Sequence, residues 1–206
     1  MSDKLQLVYF DVRGRAEFLR LLLHATGQPF EDVRVSFEAW PQRKSEAPYG
    51  KLPYLEYKGK KYGQSLAIGP FLARKFGMYG KTEEDGLRID EVTHLVDDFR
   101  LNIRAWRMEQ DPQKKAELIK KMKEDAIPCY LVYFKNLLAE NSDTGFFVGN
   151  SVTLADVMVY DIIDTMMSFD PEEKLTRYPA LQKLRQNVEN IPAVKEYLKN
   201  RPTTTI

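Results

Sequence analysis

Strand-like and helix-like spacings alternate along the first third of the chain, and then the strand signals stop. Leu5-Gln-Leu-Val-Tyr-Phe10 is a short run of strand formers ended by Asp11. Ala16 to Ala25 follows with Phe18, Leu19, Leu22 and Leu23 at helical spacing, closed by Gly27 and Pro29. Val33 to Phe37 reads as a second strand, which makes the opening β-α-β, with parallel pairing and a right-handed crossover. Pro53 to Tyr57 alternates like a strand, and Lys58-Gly59 is a hairpin turn into Lys60–Tyr62. A helix is predicted from about Ser65 to Phe76. The order is β-α-β-β-β-α, or β-α-β-α-β-β-α if Trp40 to Ala47 is partly helical.

Beyond the Gly77–Thr82 linker every pattern is helical. Val92, Leu95, Val96, Phe99, Ile103 and Trp106 trace one face from Leu87 to Met108. A second long helix is predicted over Lys114–Ala139. Leu118, Met122, Ala126, Cys129, Tyr133 and Leu137 point inward in this reading, and Pro128 kinks the helix. Thr153-Leu-Ala-Asp156 is a capping box, with Val152 and Val157 as its staple. Short helices near Tyr178–Glu189 and Ala193–Asn200 follow. The pattern gives an α/β domain over residues 1–79 and an all-α domain over 80–206. Clefts between domains are frequent ligand sites.

Composition narrows the function classes. The 206 residues are 43% hydrophobic and 30% charged, an ordinary globular balance. The formal net charge of +1 argues against a nucleic-acid binder. A single cysteine, Cys129, excludes an internal disulfide, a C-x-x-C redox pair and a zinc cluster. Met1 to Lys4 carries no signal-peptide core, and no apolar run approaches the ~20 residues that span a bilayer. A cytoplasmic protein without membrane or nucleic-acid partners is expected.

Three segments carry a resemblance: Val8-Tyr-Phe-Asp-Val-Arg-Gly-Arg-Ala-Glu17, Gly50-Lys-Leu-Pro-Tyr-Leu55 and Gln64-Ser-Leu-Ala-Ile68. With Asp97-Asp98-Phe99, Gly149-Asn-Ser-Val-Thr-Leu-Ala-Asp156 and Ile191-Pro-Ala-Val194, their order and spacing resemble cytosolic glutathione transferases. The sigma class and its nematode (nu) relatives are the nearest in pattern, together with the glutathione-dependent prostaglandin D synthases. The resemblance implies a thioredoxin-like N-terminal domain that binds glutathione. It also implies an all-α C-terminal domain that carries a hydrophobic substrate pocket.

The chemistry that this implies is modest in energy. A cysteinyl thiol has a pKa near ~8.5, and the thiolate is the nucleophile. Lowering that value by ~2 units takes about 3 kcal/mol, within reach of one charge-assisted hydrogen bond (roughly 1.5–3 kcal/mol) plus a nearby cation. On pattern alone Tyr9 is a strand-end tyrosine bound for a core. The resemblance makes it the hydroxyl that holds the thiolate, with Arg15 adding positive potential. Pro53 resembles the family's cis-proline, which turns the Leu52 backbone toward the cysteinyl N–H and C=O. The resemblance assigns Gln64 and Ser65 to the γ-glutamyl carboxylate, and Ser65 also reads as a helix N-cap. Trp40, Lys44 and Lys51, beside Gly50, match positions that grip the glycyl end. Asp98 reaches the glutathione amine from the second subunit of a homodimer.

Phe10, Arg15, Ala105 and Trp106 are the candidates for the hydrophobic substrate. The synthases carry a tryptophan that, counted from Asp98, falls on Ala105 here. The family's intersubunit cation site uses three aspartates, but here His94 stands with Asp97 and Asp98, so no metal is expected. Glutathione is then the only co-substrate. Gly69-Pro70 departs from the family pattern and predicts a kinked or late-starting helix. His24 reads as a residue near a helix C-terminus, favourable to the dipole when protonated. The implied activity is conjugation of glutathione to hydrophobic electrophiles, a detoxification reaction. Alternatives on the same scaffold are a prostaglandin isomerase or peroxidase, or a carrier of haem and other apolar ligands.

Overall fold

The computed structural model describes residues 4–142, 144–170 and 175–204. The chain forms two compact units: residues up to Met78 together with Glu189 onward, and Tyr79–Val188.

The first unit is built on a four-stranded sheet. Its strands are β1 (Leu5–Phe10), β2 (Phe30–Val35), β3 (Tyr54–Tyr57) and β4 (Lys60–Gly63), in the order β2-β1-β3-β4. β1 runs parallel to β2 and antiparallel to β3, and β3 pairs antiparallel with β4. β2 begins and ends earlier than its β-branched residues suggest. Its span is set by β1, residue for residue from Leu5 opposite Phe30 to Phe10 opposite Val35. After Val35 the chain leaves the sheet in a turn. The Ser36 hydroxyl accepts from Ala39 N–H, and the Ser36 carbonyl accepts from Trp40 N–H. Lys58 and Gly59 both take positive φ, as a tight hairpin with a right-handed twist requires.

Helix α1 (Glu17–Ala25) buries Phe18, Leu19, Leu21, Leu22 and Leu23 and, unusually, Glu17 and Arg20. A short helix α2 (Trp40–Arg43) continues as a 3₁₀ turn over Lys44–Glu46, so the order with an additional helix is the one adopted. Helix α3 spans Ser65–Lys75 and runs through Pro70, so its start is not delayed. Its N-cap is Gln64 rather than Ser65. Gln64 has φ +70°, and its carbonyl accepts from Ala67 and Ile68 N–H, which places Ser65 as the first helical residue.

The second unit is helical. Helix α4 (Glu83–Met108) opens with a capping box between Thr82 and Asp85 and buries Ile89, Val92, Val96, Phe99 and Ile103. The predicted second long helix is instead three pieces: α5 (Pro112–Lys121), a π-helical turn (Met122–Ala126) and α6 (Ile127–Ala139). A π turn holds one more residue than an α turn, so the inward stripe beyond it moves on by one position. Ile127, Phe134 and Leu138 are buried where Ala126, Tyr133 and Leu137 were expected. Leu131 completes that face. Cys129, predicted in the core, is exposed for the same reason. Pro128 falls in the first turn of α6, directly after the π turn.

Helix α7 (Leu154–Phe169) is buried over most of its length. Its capping carboxylate, Asp156, accepts from Thr153 N–H at 2.7 Å, Thr153 Oγ at 2.7 Å and Phe147 N–H at 2.9 Å. Arg100 of α4 pairs with Asp161 of α7 at 2.5 Å, both largely buried. Helix α8 (Pro179–Glu189) completes this unit, while α9 (Pro192–Asn200) packs on α1 of the first.

Candidate active site

The end of β1 builds the centre of the site. Tyr9 is 6% exposed, and its hydroxyl accepts a hydrogen bond from the Arg15 backbone N–H at 3.1 Å. That approach needs a glycine between them. Gly14 has φ +46°, and a Cβ on it would lie 2.6 Å from the Tyr9 hydroxyl oxygen. A phenol has one donor hydrogen and room to accept, so accepting from Arg15 leaves the Tyr9 hydrogen for another acceptor. Being an acceptor also polarises the O–H and strengthens it as a donor. The half-buried Arg15 follows directly in a 3₁₀ turn over Gly14–Ala16.

A buried guanidinium fixes this turn. Arg20 donates from Nη1 to the carbonyl of Val12 at 2.7 Å and from Nη2 to that of Phe10 at 3.2 Å. It also pairs with Glu17 at 3.3 Å and with Asp32 at 3.0 Å, and lies 5.8 Å from the centre of the Tyr9 ring. Pattern reading missed both Gly14 and Arg20. The available signals were a glycine directly after a strand and a charged pair inside the apolar run of α1.

Trp40, half-buried, packs with Leu52 on the cluster of Val8, Val35, Ala47 and Tyr54. Its ring meets the edge of Phe10, which also stacks on the exposed Phe37. Lys44 and Lys51 are exposed, and the Lys44 stem folds over Gly50, where an added Cβ would come within 3.4 Å of it. The Leu52–Pro53 peptide bond is cis. Gln64 is exposed and Ser65 is buried at the start of α3, which has no side-chain cap. The structure thus gathers Tyr9, Phe10, Arg15, Trp40, Lys44, Gly50, Lys51, Leu52, Pro53, Gln64 and Ser65 within one unit.

Three candidates belong to the other unit. Asp98 is exposed on α4. Ala105 is exposed near the end of that helix, whereas Trp106 meets the edge of Phe169 at 5.1 Å and lies beneath the Lys115 ammonium at 5.0 Å. His94 turns its Nδ1 to the Asp90 carbonyl at 2.8 Å.

Residues 5–74 match the glutathione S-transferase N-terminal domain, and residues 97–201 match the glutathione S-transferase C-terminal domain. The chain is 35% identical over 203 residues to glutathione S-transferase 3 of Caenorhabditis elegans, covering 97% of each. The chain belongs to the glutathione S-transferase family. Its fold is the family's thioredoxin-like α/β domain followed by a helical domain. The transferase is also 35% identical to the hematopoietic prostaglandin D synthase of Gallus gallus, over 98% of each chain. Among solved structures it superposes on a nu-class transferase from Haemonchus contortus with a TM-score of 0.87 at 32% identity, over 98% of this chain and 99% of that one. Among the described residues, no helix of the transferase is long and apolar enough to cross a membrane.

Proposed function

We propose that this enzyme conjugates glutathione to hydrophobic electrophiles, with Tyr9 and Arg15 as its catalytic residues. The observation that carries the reading is the Tyr9 hydroxyl. It accepts from the Arg15 N–H and keeps its own hydrogen for the glutathione sulfur. A hydrogen bond to the charged sulfur contributes roughly 1.5–3 kcal/mol to the thiolate over the thiol, equal to about 1–2 units of its pKa. The Arg15 guanidinium adds to this by charge. The thiolate then attacks the acceptor carbon, displacing a leaving group or adding across a polarised double bond.

Ordinary recognition chemistry holds the tripeptide in this reading. The γ-glutamyl carboxylate caps α3 at Gln64 and Ser65, supported by the absence of a side-chain cap there. The Leu52 main chain, before cis-Pro53, pairs with the cysteinyl residue like an added strand. Trp40, Lys44 and Lys51, around Gly50, take the glycyl carboxylate, supported by two exposed ammonium groups beside an aromatic wall. Phe10 and Arg15 face the electrophile.

Asp98 of a second copy reaches the glutathione amine, which makes the working form a homodimer. Exposed Tyr49, Tyr62 and Phe71 border a cavity of about 320 Å³ floored by Leu55, Tyr57 and Ile68, and an apolar surface of this kind suits self-association. The cytosol is the compartment for a glutathione-dependent enzyme whose single cysteine is exposed. The residue ranges 1–79 and 80–206 divide the work between glutathione and electrophile.

A Tyr9→Phe variant tests the mechanism. Conjugation of 1-chloro-2,4-dinitrobenzene is expected to fall by about 10- to 100-fold in kcat, with the KM for glutathione little changed. Full activity in that variant would refute the role of the hydroxyl. Isomerisation of a prostaglandin endoperoxide is the second reading, favoured by the Gallus gallus relative. Assaying the endoperoxide product alongside the conjugate separates the two.

A further inference from the structure

We infer that Tyr197 and Arg201, on and just after α9, are positioning residues for the Tyr9 hydroxyl, acting through Glu17 and Arg20 without touching glutathione. The inference rests on the Tyr9 reading and extends it to the far end of the sequence. Glu17 is 1% exposed, so its carboxylate needs partners. The Tyr197 hydroxyl donates to both its oxygens, at 3.1 and 3.0 Å, and Arg201 Nη1 donates to Oε1 at 2.9 Å. The third partner is Arg20, at 3.3 Å.

Arg20 turns this anchorage into geometry. The guanidinium that pairs with Glu17 also holds the carbonyls of Phe10, Val12 and, at 3.5 Å, Arg13. Those carbonyls flank the turn that returns the Arg15 N–H beneath the Tyr9 hydroxyl. Asp32 grips Arg20 from the other side, bound in turn to Arg34, which pairs with Asp11 at 2.9 Å. Three cations (Arg20, Arg34, Arg201) thus face three anions (Asp11, Asp32, Glu17), so a change at one end is felt as an imbalance at Arg20. With one donor lost, Glu17 draws harder on Arg20, and the guanidinium relaxes its hold on the carbonyls of the turn. The packing of α9 does not need the Tyr197 hydroxyl for this. The Tyr197 ring stacks on His24 at 4.4 Å, a contact that phenylalanine retains.

The test uses full-length Tyr197→Phe, Arg201→Ala and Arg201→Lys. It follows the thiolate absorbance of enzyme-bound glutathione against pH, together with kcat and KM for 1-chloro-2,4-dinitrobenzene conjugation. In Tyr197→Phe and Arg201→Ala the bound thiol is expected to titrate at higher pH. The pH–rate profile should move with it, and kcat near pH 6.5 should fall ~3- to 10-fold, within the range of coupling through packed polar networks. The KM for glutathione should stay within about twofold, and Arg201→Lys should recover most of the loss. A thiol titration identical to wild type in both Tyr197→Phe and Arg201→Ala would overturn the positioning role, even if their melting temperatures fall. A wild-type enzyme whose bound thiol is not acidified would instead overturn the Tyr9 reading itself, and the positioning role with it.

Discussion

Replacing Gly14 by alanine is the sharpest probe of the turn at Tyr9, because one methyl group tests both the backbone and the hydroxyl. Gly14 sits at φ +46°, a region that costs an L-residue roughly 1–2 kcal/mol. The added Cβ would meet the Tyr9 oxygen at 2.6 Å, and ordinary contact begins at 3.4 Å. Relieving the overlap moves the hydroxyl by about 0.8 Å, enough to stretch its 3.1 Å bond from Arg15 N–H beyond useful range. Losing that bond adds about 1 kcal/mol, for a total of about 2–3 kcal/mol. In a chain of this length such a loss lowers Tm by roughly 5–10 °C.

The effect on catalysis should be larger than the effect on stability, since a displacement near 1 Å at a reacting centre costs up to about 100-fold in rate. Urea denaturation gives the first quantity, and conjugation kinetics with thiolate titration the second. A double-mutant cycle sharpens both. Without the hydroxyl, the nearest atoms to the new Cβ are Tyr9 Cε1 at 3.0 Å and Cζ at 3.2 Å. Gly14→Ala should therefore destabilise Tyr9→Phe by about 1 kcal/mol less than it destabilises wild type. A Gly14→Ala enzyme with wild-type kcat and wild-type thiol titration would refute the geometry.

Three other outcomes are expected. Burial pushes the Asp156 carboxyl up to about 6, against the hydrogen bonds from Thr153, Phe147 and its own backbone that pull it down. The native state therefore binds that proton more tightly than the unfolded chain does. Stability present below about pH 3.8 is lost as pH rises through about 6, by at most about 3 kcal/mol relative to Asp156→Asn, and a flat difference curve would refute this. Arg100→Met takes the cation from Asp161, which is 2% exposed, and should cost about 3–5 kcal/mol by urea denaturation; a loss below about 1 kcal/mol would contradict the pairing. Cys129 should react with one equivalent of a thiol reagent in the native enzyme without loss of conjugation, whereas reaction only on unfolding would show it buried.

What could be read from the sequence follows physical range. β1 and the hairpin at Lys58-Gly59 are encoded within a few residues by strand formers and turn chemistry, and they form where pattern reading puts them. β2 shifts because its ends are dictated by pairing with β1, which no local propensity contains. The core stripe of α6 is misphased because the π turn over Met122–Ala126 adds a residue that a fixed 3.6 period cannot anticipate. At the site, Tyr9 and Arg15 are conspicuous by motif. Gly14 and Arg20 are visible only once the hydroxyl lies over a glycine and a guanidinium gathers the carbonyls of the turn.

The return of α9 to α1 has a consequence for biosynthesis. Nascent chains emerge from the N-terminus, and domains generally fold as they appear. Here the sheet, the Tyr9 turn and Glu17 leave the ribosome more than a hundred residues before Tyr197 and Arg201, which complete the same unit. Throughout that interval the Glu17 carboxylate has Arg20 but neither Tyr197 nor Arg201, and the face of α1 that receives α9 is open to solvent. The sheet-bearing unit is thus started before the helical one and finished after it, so a ribosome that stalls within α8 would leave the turn at Tyr9 without its anchor.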